Sequence, residues 1–298
     1  MAVTPQQPGN TWGVLAVFTT AVLWGTTGTA ATFAPSVSPI AIGAASMGIG
    51  GLLQALVALP TLRSNRTHLT RHKQLVVWGA AAVAIYPLAF YSSMHLAGVA
   101  VGTVVSLASA PLASGLLELI IDRRRLGPWW VLAAVLGAIG SALLCFAKAG
   151  QPGSSVTDTI LGIGLGLVAG GSYALYSWVV HRLIQSGTPR AGAMGAVFGA
   201  GGVILIPVFL LTGAPFLESN INFAVGAYMA LIPMFVGYLL FGIGLATIRP
   251  STATTITLSE PAVATLLAVA VVGEQLSASG WVGLGIVGMT LVVLVLKQ

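Results

Sequence analysis

Ser259-Glu-Pro-Ala-Val-Ala-Thr-Leu-Leu267 restates, with substitutions, a stretch the chain carries 150 positions earlier as Ser109-Ala-Pro-Leu-Ala-Ser-Gly-Leu-Leu117. The serine, the proline and the closing leucine pair coincide. One residue later in register, Trp130-Val131 and Gly137 are matched by Trp281-Val282 and Gly288. The correspondence is weak per residue but ordered along two consecutive apolar stretches. It divides the chain into two halves, 1–150 and 151–298, and a self-similar chain is read as a repeat before any motif is sought.

Composition sets the solvent for those halves. Charged residues make up 6% of the 298, against about 25% in soluble domains. The hydrophobic fraction is 56%, 38 glycines add further small apolar volume, and mean hydropathy is +0.97. Segments that are apolar all round need a bilayer. A net charge of +6 is ordinary loop charge for such a chain and argues against a nucleic-acid binder. Cys145 stands alone, which rules out an intramolecular disulfide and a cysteine-built metal cage.

A span takes about 20 apolar residues. Runs between charge, proline and glycine punctuation predict ten: 12–33, 39–60, 74–95, 98–120, 127–147, 159–183, 189–212, 223–243, 250–272 and 279–297. The first lacks basic residues ahead of it and is long enough to span, so it reads as a retained helix and not a leader. The basic residues orient the set. Arg63, Arg66, Arg71, Lys73, Arg123, Arg124, Arg125, Arg182, Arg190, Arg249 and Lys297 share one face, against Lys148 on the other. Both termini are therefore expected in the cytoplasm. Trp12, Trp78, Trp129, Trp130, Trp178 and Trp281 fall near span ends, at headgroup level, while Trp24 lies mid-span. The expected fold is an all-α integral membrane protein of ten transmembrane helices, arranged as two inverted five-helix repeats around a central cavity. Five is odd, so the second half enters from the opposite face, the geometry of a secondary transporter with its site near the midplane.

Trp24-Gly25, Tyr91-Ser-Ser-Met-His-Leu-Ala97, Pro111, Ser259-Glu-Pro261, Gly273-Glu-Gln-Leu-Ser277 and Gly280-Trp-Val-Gly283 together resemble the EamA family of the drug/metabolite transporter superfamily. The likeness covers both halves and is greatest to bacterial exporters of aromatic amino acids. It implies ten helices in two inverted repeats, a central cavity and efflux to the periplasm across the inner membrane. The chain departs from the pattern at Ala110, where the second half has Glu260.

Glu260 is the sharpest chemical feature. An ionised carboxylate at mid-membrane costs about 3 kcal/mol or more, and function is the default reading of such a group. Burial favours its neutral form, so it is a candidate proton carrier or partner for a substrate amine; hydrogen bonding to a nearby Ser or Thr is the bland alternative. Glu274 and Glu118, near span ends, read as interfacial. Trp24, Tyr86, Tyr91, Tyr173, Tyr176 and Tyr238 share mid-depth and form a candidate aromatic wall for a flat side chain or an ammonium group. Thr103, Ser106 and Ser109, and again Thr254, Thr257 and Glu260, recur at three-residue spacing, as a lined pathway or as helix-to-helix bonding. Ser106 and Thr257 join the candidate binding set. Pro87, Pro111, Pro207, Pro233 and Pro261 interrupt helices, and the repeat-matched pair Pro111 and Pro261 is the candidate hinge. His95 reads as a structural hydrogen-bonder.

Gly162, Gly166 and Gly170, and Gly195 with Gly199, have the spacing that lets membrane helices approach closely. Gly283-Leu-Gly-Ile-Val-Gly288 matches a dinucleotide fingerprint only in form, since no strand precedes it. No nucleophile, phosphate loop or metal signature is present, so the chain reads as no enzyme, calling for no cofactor or metal. The leading expectation is an exporter of aromatic and other amino acids. Export of hydrophobic or quaternary ammonium drugs is the alternative, ahead of an intramembrane enzyme or a passive channel. Its expected partners are a small-molecule substrate and the bilayer; the oligomeric state is open, a monomer included.

Overall fold

The computed structural model describes residues 8–147, 156–267, 269–270 and 277–296. Residues 273–276 of the Gly273–Ser277 motif, with Glu274, the basic residues Lys148 and Lys297, and the Cys145 side chain lie outside what it describes.

The described residues form helices joined by short turns and loops, with no strand among them. The first half holds α1 (Pro8–Ala31), α2 (Pro39–Val57), two short helices α3 (Leu59–Ser64) and α4 (Arg66–Arg71), α5 (Lys73–Ala97), α6 (Val99–Ile120) and α7 (Pro128–Ala147). The second holds α8 (Val156–Gln185), α9 (Arg190–Thr212), α10 (Asn220–Met229), α11 (Gly237–Thr247), α12 (Pro250–Ile256), α13 (Glu260–Leu267) and α14 (Ala278–Leu296). A π-helical stretch, Ala230–Val236, joins α10 to α11, and a 3-10 turn, Thr257–Ser259, joins α12 to α13.

The punctuation explains the boundaries. Ser38 caps α2, its hydroxyl accepting from the Ala41 amide at 3.2 Å with Pro39 next, and Ser219 caps α10 through Asn222 at 3.1 Å. Between α5 and α6 the chain turns on Gly98 alone, whose φ of 85° is open to glycine at little cost.

Among the described residues, seven helices are long and apolar enough to cross a membrane by length and composition: Thr11–Ala31, Pro39–Val57, Lys73–Ala97, Val101–Ile120, Val156–Gln185, Arg190–Thr212 and Asn220–Thr247. Of the other three expected spans, Pro128–Leu143 and Ala278–Leu294 are shorter apolar helices, and 250–272 is broken by the 3-10 turn within its described part. Between the second and third expected spans the chain forms α3 and α4.

Helix pairing follows the repeat. α5 packs along α8 as α11 packs along α1, and α6 meets α8 as α13 meets α1. Of the remaining pairings, α2 with α9 and α7 with α14 map onto themselves when the halves are exchanged, and α5 with α9 corresponds to α2 with the π-helical stretch. Small residues make the crossings close. A Cβ on Gly162 would lie 2.6 Å from Ala97, one on Gly166 2.9 Å from Val105, and one on Gly170 2.6 Å from the Ser106 carbonyl. Gly199 meets Ala55 of α2 in the same way at 2.5 Å. With lipid as apolar as the core, such close van der Waals contact is what binds the helices.

Two tryptophans depart from expectation. Trp12, Trp78, Trp129 and Trp281 are about half exposed or more, as headgroup-level rings should be, but Trp178 is 7% exposed and donates to Asp122 Oδ2 at 2.9 Å. Trp130 is partly buried and packs on α6 at Gly115. Glu118, expected at the interface, is 2% exposed and accepts the Ser251 amide at 2.8 Å, satisfying the start of α12. His95 is exposed and makes no hydrogen bond among the described residues.

Candidate solute-binding site

Between the halves lies a cavity of about 50 Å³ lined by Trp24, Thr27, Gly43, Ser46, Met47, Tyr86, Pro87, Phe90, Tyr91, Met234, Tyr238 and Glu260. α1, α2 and α5 supply one side; the π-helical stretch, α11 and α13 supply the other.

Pro261 explains how Glu260 reaches it. Without a proline amide the Thr257 carbonyl has no donor four residues on, so it accepts from the Glu260 amide instead and the helix tightens into the 3-10 turn. Glu260 then opens α13 against the cavity. Its carboxylate has no hydrogen bond or ion pair among the described residues. Gly25 makes the approach of α1 possible: a Cβ there would sit 2.7 Å from Val263 and 3.0 Å from the Glu260 carbonyl.

The opposite wall is set by Pro233. A π-helical stretch around a proline leaves carbonyls that in lipid need outside donors. α1 provides them, with the Trp24 indole donating to the Pro233 carbonyl at 3.0 Å and the Thr20 hydroxyl to the Gly237 carbonyl at 3.0 Å. Trp24 thereby lies 4.9 Å from the Tyr238 ring and 6.0 Å from Tyr173. On α5, Tyr86 stacks on Phe90 one turn later at 5.7 Å, and Phe90 meets Tyr91 edge-on at 5.3 Å. The Tyr86 and Tyr91 hydroxyls have no protein partner among the described residues.

Of the residues singled out in the sequence, Trp24, Tyr86, Tyr91, Tyr238 and Glu260 are brought together in the lining. Tyr173, Tyr176, Ser106 and Thr257 are not. Tyr173 is 1% exposed and bonds Thr257 Oγ1 at 2.9 Å, while Tyr176 is fully buried and bonds the Tyr238 hydroxyl at 2.9 Å. They form a layer behind the wall. Ser106 is buried with its hydroxyl unpartnered. The polar stripes bond helices: Thr103 reaches the Met94 sulfur, Ser109 packs on Gly170, and Thr254 bonds Ser114. The hinge pair is asymmetric, since Pro111 sits inside the continuous α6 and only Pro261 accompanies a break.

Sequence reading missed Phe90, although it lies one helical turn from Tyr86. It also missed Gly43, Ser46, Met47, Thr27 and Met234, which carry no signal in a uniformly apolar segment. Gly43 has a structural reason: a Cβ there would lie 2.5 Å from the Tyr91 ring.

A cavity of about 15 Å³ holds a water and one of about 150 Å³ holds benzene. At about 50 Å³ this one has room for a few waters and none for an aromatic ring. Hydrogen bonds join helices at both ends of the bundle. At the basic end Glu118 meets Ser251 and Asp122 takes Trp178 and Arg182 Nη1, the latter at 2.9 Å. At the other end Thr26 meets the Tyr228 hydroxyl at 2.6 Å and Asn222 meets Ser36 at 3.0 Å.

The comparisons with known proteins agree with this architecture. The model of the EamA-like transporter family matches twice, at residues 11–146 and 160–296. An "Uncharacterized transporter YwfM" of Bacillus subtilis (strain 168) is 32% identical over 289 residues, covering 96% of this chain and 94% of that protein. One solved crystal structure is similar with a TM-score of 0.80 over 96% of this chain and 97% of its own; at 20% identity that likeness carries the fold alone. Two family matches, one per repeat, and a relative aligned nearly end to end establish that this multi-pass membrane chain belongs to the EamA-like transporter family.

Proposed function

We propose that the protein is a secondary transporter that exports aromatic amino acids, working by alternating access across ten spans in two inverted repeats. It resides in the bacterial inner membrane with both termini in the cytoplasm, and one chain suffices because both repeats and the whole lining belong to it. The observation that carries this reading is the lining itself. A carboxylate with no partner among the described residues, Glu260, faces Tyr86 and Tyr91 hydroxyls that likewise have none there, within a cage of Trp24, Phe90 and Tyr238. The acid suits an α-ammonium group, the phenols a carboxylate, and the rings a flat side chain. The small volume implies that solute enters only when the halves part, with Pro111 and Pro261 yielding. Glu260 carries a proton when it carries no amine, which couples export to inward proton flow.

The lining contains no cationic side chain, and this supports a second reading, export of hydrophobic or quaternary ammonium compounds. Counterflow in proteoliposomes separates the two. Trans-stimulated uptake of labelled phenylalanine is expected; no flux above empty vesicles for any amino acid, with flux of a quaternary ammonium dye, would replace the first reading by the second.

A further inference from the structure

We propose that a groove between α5 and α8 at the basic end of the bundle binds the phosphodiester headgroup of an anionic phospholipid. The groove measures about 530 Å³, some ten times the central cavity, and is lined by His72, Leu75, Trp178, Arg182, Gln185 and Ser186.

Its chemistry is graded along its length. Leu75 and the Trp178 ring form an apolar wall, while Arg182, His72, Gln185 and Ser186 supply polar groups. The polar part is held in place: His72 Nδ1 is 3.1 Å from the His68 carbonyl, the two imidazoles lie 4.5 Å apart, and His68 Nε2 is 3.3 Å from the Ser186 hydroxyl. Arg182 spends Nη1 on Asp122 and keeps a side chain that is 53% exposed. A guanidinium has five N–H donors, so most remain for a phosphate.

The surrounding charge has one sign. Arg63, Arg66, Arg71, Lys73 and Arg190 are exposed and unpaired among the described residues, while Asp122 is already shared between Trp178 and Arg182. Exposed Trp12 and Trp78 mark the same end as headgroup depth. Basic pockets at that depth attract anionic lipid headgroups. The apolar wall favours a lipid over a free anion, since only a lipid has a glycerol and acyl start to lay against Leu75 and Trp178. Because α5 belongs to the first repeat and α8 to the second, a lipid seated there bridges the halves.

The test is a titration of detergent-purified full-length protein with dioleoyl phosphatidylglycerol, dioleoyl phosphatidylcholine or inorganic phosphate, read by unfolding temperature and native mass spectrometry. Phosphatidylglycerol alone is expected to raise the unfolding temperature and to remain bound. The double variant His72→Gln/Arg182→Gln should weaken that binding about fivefold or more, from the loss of the Arg182 charge and the His72 ring. His72→Leu/Gln185→Leu should weaken it too while leaving the Arg182–Asp122 pair intact. Arg71→Gln/Lys73→Gln, outside the lining, should retain a clear preference for phosphatidylglycerol. Equal stabilisation by phosphatidylcholine, equal stabilisation by phosphate, or wild-type binding in both groove variants would overturn the proposal.

Discussion

The indole of Trp24 donates to the carbonyl of Pro233, 209 residues away in the other repeat, at 3.0 Å. A helix that begins the first half thus satisfies the backbone irregularity of the second. Trp24→Phe keeps a ring in the wall but leaves that buried carbonyl unpaired, a loss of about 1–3 kcal/mol. Thermal unfolding of the purified variant should fall accordingly, and an unchanged midpoint would mean that the bond contributes nothing.

Gly43 sets the space for Tyr91. Gly43→Ala places a methyl against the ring at 2.5 Å and against Pro87 at 3.2 Å, so Tyr91 must shift within the lining. Gly28→Ala on α1 is the control, because nothing lies within 4 Å of its Cβ position. Transport should drop at least several-fold in the first and stay near wild type in the second, as measured by initial uptake rates.

Tyr176 and Tyr238 share one buried hydrogen bond, 2.9 Å long. Either single change to Phe orphans the other hydroxyl and should cost about 1–3 kcal/mol, while the double change removes both groups and should cost less than the sum. A double-mutant cycle on unfolding free energy measures the coupling, and strict additivity would refute it.

Glu118 ties α6 to the start of α12 at the basic end. Glu118→Leu leaves the Ser251 amide without its acceptor, whereas Glu118→Gln keeps a carbonyl in place. The leucine variant should therefore be the less stable by about 1 kcal/mol or more, and cysteine cross-linking across α6 and α12 should report a looser closed end.

If Glu260 exchanges a proton for solute, the sign of the pH effect is set. Acid on the side receiving the solute protonates Glu260 there and displaces the amine, so an inward proton gradient accelerates export. Glu260→Gln should abolish that acceleration, and a gradient effect that survives in the variant would place the proton elsewhere.

Much of the fold was legible because it is written in bulk properties. Hydropathy marks segments, and Ser109/Pro111 over Ser259/Pro261 marks the duplication that the helix pairings then obey. Glu260 stood out because a charge in an apolar run is rare. What was not legible is rotation about each helix axis. In a soluble helix polar residues mark the outer face, but here both faces are apolar, so nothing separates Tyr86, which faces the cavity, from Tyr173, which is packed behind it. The indole that satisfies the π-helical stretch at Pro233 and the inward turn of Trp178 depend on long-range pairings, Trp24 with Pro233 and Trp178 with Asp122, that no local pattern encodes.

The central claim is that Glu260 and its aromatic cage hold the transported solute. Counterflow of labelled phenylalanine into proteoliposomes, with wild-type protein and with Glu260→Gln reconstituted in equal amounts, tests it most directly. Saturable, trans-stimulated uptake by the wild type and a loss of about tenfold or more in the variant, as removal of a charged partner worth about 1.5–3 kcal/mol requires, is the expected result. Equal flux by the two proteins would contradict it.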